Sequence, residues 1–330
     1  AMTSLGVPAT RALAAVATGD DVQRETVMPG GVFTRVADSH IRIGTFQYFA
    51  SRVDIDALKT LLDYTIKRHY PEIEDGSAIL FFRAFIKRQI SLVTQWMSIG
   101  FIHGVMNTDN MAISGETIDF GPCAFMDKFH NLKVFSSIDR NGRYAYSNQG
   151  PVLAWNMARL ADCLIPLVDD DEDKAIEMLT EELAPISDQF TEKLNERMTA
   201  KLGLTSDDAD LVDTFLSHLE KEELDFTLSF RALGDGSTFP EFEKEWKARL
   251  NERELDFDET VESIKKINPL YIPRNHQVER AIQGALVGDL TVFHEMNRVL
   301  KNPFEFQEDL ESYSLEPKPE EVVCATFCGT

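Results

Sequence analysis

A carboxylate, an amide and a second carboxylate near the middle of the 330-residue chain have the types and spacing of a metal-and-base site. The run H-G-V-M-N-T-D-N occupies 103–110, and I-D-F-G follows at 118–121. Asn110 and Asp119 offer hard oxygen donors, the kind that hold magnesium or manganese alongside phosphate oxygens and water. Asp109 is a loop carboxylate beside them, suited to accept the proton of an attacking hydroxyl. A purely structural role is open to the same residues, since Asn, Thr and Asp favour caps and turns. D-F-G alone is a tripeptide that arises by chance. His103 reads as an orienting residue that hydrogen-bonds the loop, rather than as an acid or base.

Kinase-like phosphotransferases set such parts in a fixed order. A loop H-R-D-x-x-x-x-N places its Asn seven residues after its His, and a D-F-G Asp then takes the metal that bridges the phosphates. Asn110 stands seven residues after His103, but the position two after the His, where a kinase keeps its Asp, is Val105. The only loop carboxylate is Asp109. Either Asp109 has taken the base role or the site has lost catalysis. The second case would make the chain a nucleotide-binding pseudokinase, acting as a binding module. Val105 argues against a conventional kinase.

The elements that must hold these loops follow from periodicity. Residues 54–69 predict an amphipathic helix with Leu58, Leu61, Leu62 and Ile66 on one stripe, and 77–100 a longer buried one that runs into the His103 loop. Two short strands are expected around a turn at Gly115-Glu116. Residues 1–16 hold a helical stretch broken by Gly6 and Pro8. Runs 31–37 and 41–46 flank the turn signal at Asp38-Ser39-His40 and predict a hairpin. In that register Arg35 and Arg42 are cross-strand neighbours on one face, a like-charge pair that calls for an anion between them. From 152 onward the pattern is helix after helix: 155–167, 174–200, 206–222, 239–252, 256–266, 275–285 and 288–300. The acidic run 169–173 reads as a solvated turn, and the last residues as an irregular tail.

Bulk properties bound the function. Hydrophobic residues make up 43% of the chain and charged ones 27%, as in ordinary globular domains. The net charge of −22 repels phosphate backbones and anionic lipid, so neither nucleic acid nor a membrane is an expected partner. No apolar run is expected to reach the roughly 18 residues that span a bilayer. Four cysteines fit a reducing, cytoplasmic setting (mitochondrial in a eukaryote) and form no zinc pattern. Cys324 and Cys328 are most simply unpaired. The sharper reading is a redox pair, or a disulfide closing the tail over the site with Cys123 as a possible partner. His276 reads as structural.

Longer motifs carry a resemblance. H-G-V-M-N-T-D-N-M, T-I-D-F-G-P-C-A-F-M-D, G-R-Y-A-Y-S-N-Q and W-N-M-A-R-L-A are similar to the selenoprotein O family. So are P-A-T-R-A-L (8–13), T-R-V-A-D-S-H-I-R-I-G-T-F-Q (34–47), R-H-Y-P-E (68–72) and N-P-L-Y-I-P-R-N-H (268–276). The resemblance implies an α+β, protein-kinase-like fold with a mostly helical C-lobe and a remnant of the N-lobe sheet. Residues 1–50 would be that remnant, 51–170 the C-lobe core with both loops, and 171–330 a helical extension. It also implies an ATP-dependent protein adenylyltransferase that places AMP on Ser, Thr or Tyr hydroxyls of other proteins, with Mg2+ or Mn2+. Asp109 then matches the proton acceptor, Asn110 and Asp119 the metal ligands, Asp119 also a nucleotide contact, and Arg35 and Arg42 the arginines that hold a flipped ATP. The family's glycine-rich loop and phosphate-binding lysine would precede residue 1. On that expectation the chain is N-terminally truncated and weakly active or inactive by itself. Gly150 stands where the family often has Pro, and Cys324 and Cys328 lie where animal members carry selenocysteine.

Overall fold

The computed structural model describes residues 1–23, 26–236 and 239–327. After a 3-10 turn (Met2–Leu5) come two strands, β1 (Arg11–Gln23) and β2 (Val27–Val36), which pair antiparallel. Three helices follow: α1 (Ile43–Ala50), α2 (Ile55–His69) and α3 (Ala78–Ser98). A second antiparallel pair, β3 (Phe101–Ile102) and β4 (Ala124–Phe125), brackets the two motif loops. The rest is helical: α4 (Gln149–Val168), α5 (Glu172–Leu183), α6 (Ile186–Ala200), α7 (Ala209–Lys221), α8 (Phe226–Arg231), α9 (Pro240–Glu252), α10 (Phe257–Ile264), α11 (Asn275–Leu286) and α12 (Thr291–Val299). The protein is thus α+β, mostly helical with small antiparallel sheets.

The long helices begin where their capping residues dictate. Asp54 accepts the Ala57 N–H at 3.1 Å to open α2, and the Ser77 hydroxyl accepts the Leu80 N–H at 3.3 Å to open α3. On α3, Phe81, Phe82, Phe85, Val93 and Trp96 are at most 1% exposed, which makes it the central pillar of the first apolar cluster. A second cluster gathers Phe215, Phe226, Phe230 and Trp246, and a third Tyr271, Val299, Leu310 and Tyr313.

The structure corrects the expected hairpin. The partner of β2 is β1, with Arg35 opposite Ala12 and Val36 opposite Arg11. Residues 41–46 are not a strand, because Arg42 is the N-cap of α1. Its N–H donates to the Thr45 hydroxyl at 3.1 Å, while the Thr45 N–H returns to the Arg42 carbonyl at 3.0 Å. The I-x-x-F spacing then buries Ile43 and Phe46 completely. Arg35 and Arg42 are therefore not cross-strand neighbours. Residues 11–16 belong to β1 rather than to a helix, and the two strands expected within 111–120 reduce to one bridge, Met111 to Thr117.

A further correction concerns length and apolarity. The segment Tyr146–Val168 is long and apolar enough to cross a membrane by composition alone. Its apolar face is committed to the protein: Val152, Leu153, Met157, Leu160 and Leu164 lie in the first cluster, packed against α1, α3 and α5.

Candidate active site

The two motif loops are held by the β3–β4 ladder. Phe101 pairs with Phe125 and Ile102 with Ala124, so the chain enters the 103–110 loop from β3 and leaves the D-F-G loop into β4. His103, fully buried, joins the loops: its Nε2 lies 2.9 Å from the Ile118 carbonyl, and its Nδ1 accepts the Val105 N–H at 3.4 Å. Burial depresses its pKa, so the ring is neutral, with the proton on Nε2 for the Ile118 bond. This is the orienting role its sequence position suggests. Gly104, at φ +81°, lets the loops touch, since a β-carbon there would stand 2.7 Å from the Pro122 carbonyl.

Asp109 is exposed, on a 3-10 turn (Thr108–Asn110) capped by Asn107, whose amide oxygen accepts the Asp109 N–H at 3.0 Å. Its carboxylate lies against the backbone of Gly44 in α1, where a β-carbon would be 2.0 Å from Oδ1. It makes no hydrogen bond or ion pair with a described residue. Arg42 approaches the same turn from the start of α1, with Nη1 donating to the Asp109 carbonyl at 2.8 Å. A guanidinium has five N–H donors, and this bond occupies one.

Asn110 is buried, and its Nδ2 donates to the Val105 carbonyl at 2.9 Å. That bond fixes the amide plane and leaves Oδ1 as the outward acceptor. Asp119 has φ +65°, a left-handed conformation that a non-glycine residue adopts at a cost of about 1 kcal/mol or more. Its carboxylate makes no hydrogen bond or ion pair with a described residue. An amide oxygen and a carboxylate are a donor set that suits magnesium or manganese shared with phosphate oxygens. Among the described residues no group of three or more His, Cys, Asp or Glu could hold a metal by itself.

The structure thus brings Arg42 and Asp109 together, sets Asn110 in the same turn, and ties the Asp119 loop to it through His103. Arg35 is not brought to them. It lies half-exposed on β2, without a hydrogen bond or ion pair to a described residue. The base of its hairpin is nevertheless stitched beside Asp119: Thr10 N donates to the Thr117 carbonyl at 3.0 Å, and Thr117 N to the Pro8 carbonyl at 2.8 Å. The buried Trp96 Nε1 donates to the Thr117 hydroxyl at 2.8 Å.

Several supporting residues escaped residue-by-residue reading. Gln149 accepts the His103 N–H at 3.2 Å and donates to the Phe101 carbonyl at 3.1 Å. Asn156 donates to the Met106 carbonyl at 2.8 Å. Both sit inside motifs quoted above, S-N-Q and W-N-M, and that was their only signal. Gly44 gave none. Cys123 is unpaired and half-buried, with its thiol pushed up to about 12 by burial, and Cys324 is unpaired and exposed. Cys328 lies outside the described residues. The tail does reach the site, where the Thr326 hydroxyl donates to the Pro122 carbonyl. A cavity of about 640 Å³ between α4, α6 and α7 is lined by Tyr146, Phe190 and Leu216, and none of the loop residues lines it.

A family sequence model described as protein adenylyltransferase SelO matches residues 1–239, which include both loops. A protein from Agrobacterium fabrum named protein nucleotidyltransferase YdiU is 48% identical over 351 residues, covering 100% of this chain and 72% of that protein. Proteins of the same name from Rhizobium etli and Rhodopseudomonas palustris are 47% and 46% identical, covering all of this chain and 71% and 72% of their own lengths. The chain belongs to the SelO family. The 103–110 and 118–121 loops fall within the matched span, whereas N-P-L-Y-I-P-R-N-H lies beyond it.

Proposed function

We propose that the protein is a protein adenylyltransferase of kinase-like fold, moving AMP from ATP to Ser, Thr or Tyr hydroxyls of other proteins. The observation that carries this reading is the free carboxylate of Asp109, held over Gly44 beside Asn110, with Val105 at the kinase position. Family membership supports it. In the reaction the acceptor hydroxyl oxygen attacks the α-phosphorus, its proton passes to Asp109, the bond to the β-phosphate oxygen breaks, and diphosphate leaves. Asn110 Oδ1 and the Asp119 carboxylate would hold Mg2+ or Mn2+, and that ion when bound neutralises phosphate charge. Arg42, with its remaining N–H donors, would pair with the nucleotide phosphates, supported by its bond to the Asp109 carbonyl. Arg35 would do the same on the strength of the family resemblance alone, since the hairpin register that paired it with Arg42 does not hold.

Supplying the protein with Mg2+ or Mn2+ and ATP labelled at either the α- or the γ-phosphate tests this. Alpha label on protein is expected. Gamma label would mean a kinase. Nucleotide binding with neither label transferred would mean a binding module instead.

A further inference from the structure

Arg274 is wholly buried, yet it is the residue through which the C-terminal segment grips the strand after D-F-G. Its Nη1 donates to Asp127 Oδ1 at 2.7 Å. Its two terminal nitrogens make a fork onto the Asp225 carboxylate, and Nη2 also donates to the Ser314 carbonyl at 3.0 Å. Asn275, the next residue, donates from Nδ2 to the Phe125 carbonyl at 2.8 Å. The gripped strand is fixed on its other side by backbone bonds: Phe226 N to the Asp127 carbonyl at 2.8 Å, and Met126 N to the Gly100 carbonyl at 2.8 Å. Asp225, in turn, caps α8 by accepting the Leu228 N–H at 2.7 Å.

This clamp sits at the only described strand leaving the D-F-G loop. Phe125 pairs with Phe101, which leads into His103, and Asp119 is held left-handed a few residues upstream. Covering the core does not require a charged triad at that place. A guanidinium whose two terminal nitrogens bond both carboxylates and a carbonyl, with only Nε buried unpartnered, defines one position for Asp127 rather than a range of them. Residues 268–276 lie outside the span matched by the family model, and supply none of the loop residues themselves.

We propose that Arg274, with Asn275, is a positioning residue for Asp119: by locking Asp127 and Phe125 it sets the D-F-G loop in the conformation that presents the Asp119 carboxylate to metal. The proposal rests on the adenylyltransferase reading for its activity readout. It also has one that does not depend on that reading.

The test compares Arg274→Met, Asp127→Asn and a control, Val299→Ala, which weakens the neighbouring third apolar cluster without removing any hydrogen bond of the clamp. Asp127→Asn keeps side-chain volume and removes the charge pairing, so it remains informative where Arg274→Met fails to fold. Two quantities are read at temperatures well below each melting point: the Mg2+ concentration giving half-maximal AMP transfer, and deuterium uptake by the amides of 118–126. For Asp127→Asn the half-maximal Mg2+ concentration is expected to rise roughly 10-fold, as for other outer partners of metal ligands, with faster exchange at 119–123. Val299→Ala is expected to move neither. A clamp variant that loses melting temperature while matching Val299→Ala in both readouts overturns the proposal. Should the parent transfer no AMP, the proposed function fails, and the exchange comparison still decides the clamp.

Discussion

At the scale of single residues, Gly44 is the most exposed to test. A methyl group there meets only the far end of the Asp109 side chain, which can swing into solvent. Alanine also favours the helix over glycine by about 1 kcal/mol. Gly44→Ala should therefore leave the melting temperature unchanged or slightly raised, while moving the carboxylate off its seat. AMP transfer should fall on the order of 100-fold, the scale of loss from a misplacement near 1 Å. Steady-state rates beside a thermal melt check this, and an unaltered rate would show that the seat is immaterial. Lys201 offers a second test, away from the loops. It is buried with its ammonium over the Phe230 ring at 4.2 Å, and burial lowers its pKa to about 7. Between that value and the ordinary lysine value of 10.5 the unfolded chain holds a proton that the folded chain has released. Stability therefore climbs as pH rises through this window and carries the full penalty below it. Lys201→Met should be more stable than the parent at pH 6 by roughly 4–5 kcal/mol, the gap nearly closed by about pH 10. Urea unfolding at the two pH values measures it, and a gap that ignores pH would refute the burial account.

At the scale of elements, α4 holds the 103–110 loop at two points, and the two should not cost the same to break. Gln149→Leu orphans the buried His103 N–H and Phe101 carbonyl, at roughly 1–3 kcal/mol per group. Asn156→Leu orphans the Met106 carbonyl but also removes an Asn oxygen that is buried without a partner, so its net cost should stay near or below about 1 kcal/mol. Equal losses for the two in chemical denaturation would contradict this reading of α4. The helices that carry these residues were legible in the sequence because apolar period and cap agree: Asp54 and Ser77 stand one residue before α2 and α3 begin. Residues 41–46 were not. Their alternation of Ile and Phe suits a strand as well as a helix start, and the Arg42–Thr45 capping pair that decides between them puts Arg at the N-cap and Thr at N3, where neither is usual. The partner of β2 was missed for a related reason. Strand pairing is set by what the turn and the neighbouring surface allow, and β1 lies in an Ala-rich run whose period favours neither structure. Asp109, Asn110 and Asp119 could be singled out because their spacing follows a kinase-like loop order, and the structure sets them on loops joined through His103. The clamp at Arg274 was not, since Asp127, Asp225 and Arg274 are far apart in sequence and only the fold makes them neighbours.

At the scale of the whole molecule, charge dominates. There are 55 acidic and 33 basic residues, so even if every Lys and Arg were matched to one carboxylate, 22 carboxylates would remain unmatched. The matching that does occur is strongest where water is excluded. Asp208, with no exposed side-chain surface, takes Arg249 at 2.9 Å and Arg253 at 2.8 Å, and Arg274 takes Asp127 and Asp225. Such buried contacts are little screened by salt, while exposed pairs such as Lys128–Glu223 are worth about 0–1 kcal/mol and lose little when screened. What salt does reach is the long-range repulsion among the unmatched surface carboxylates. Raising potassium chloride from about 10 mM to about 200 mM shortens the screening length from roughly 30 Å to under 10 Å. The melting temperature should then rise by roughly 1–3 °C, corresponding to about one or two kcal/mol in a chain of this size. A fall on adding salt would mean that exposed ion pairs outweigh the net repulsion. Against the same surplus, an arginine held without a carboxylate ion pair, as Arg42 is by its bond to the Asp109 carbonyl, offers local attraction to an anion on a surface that otherwise repels one.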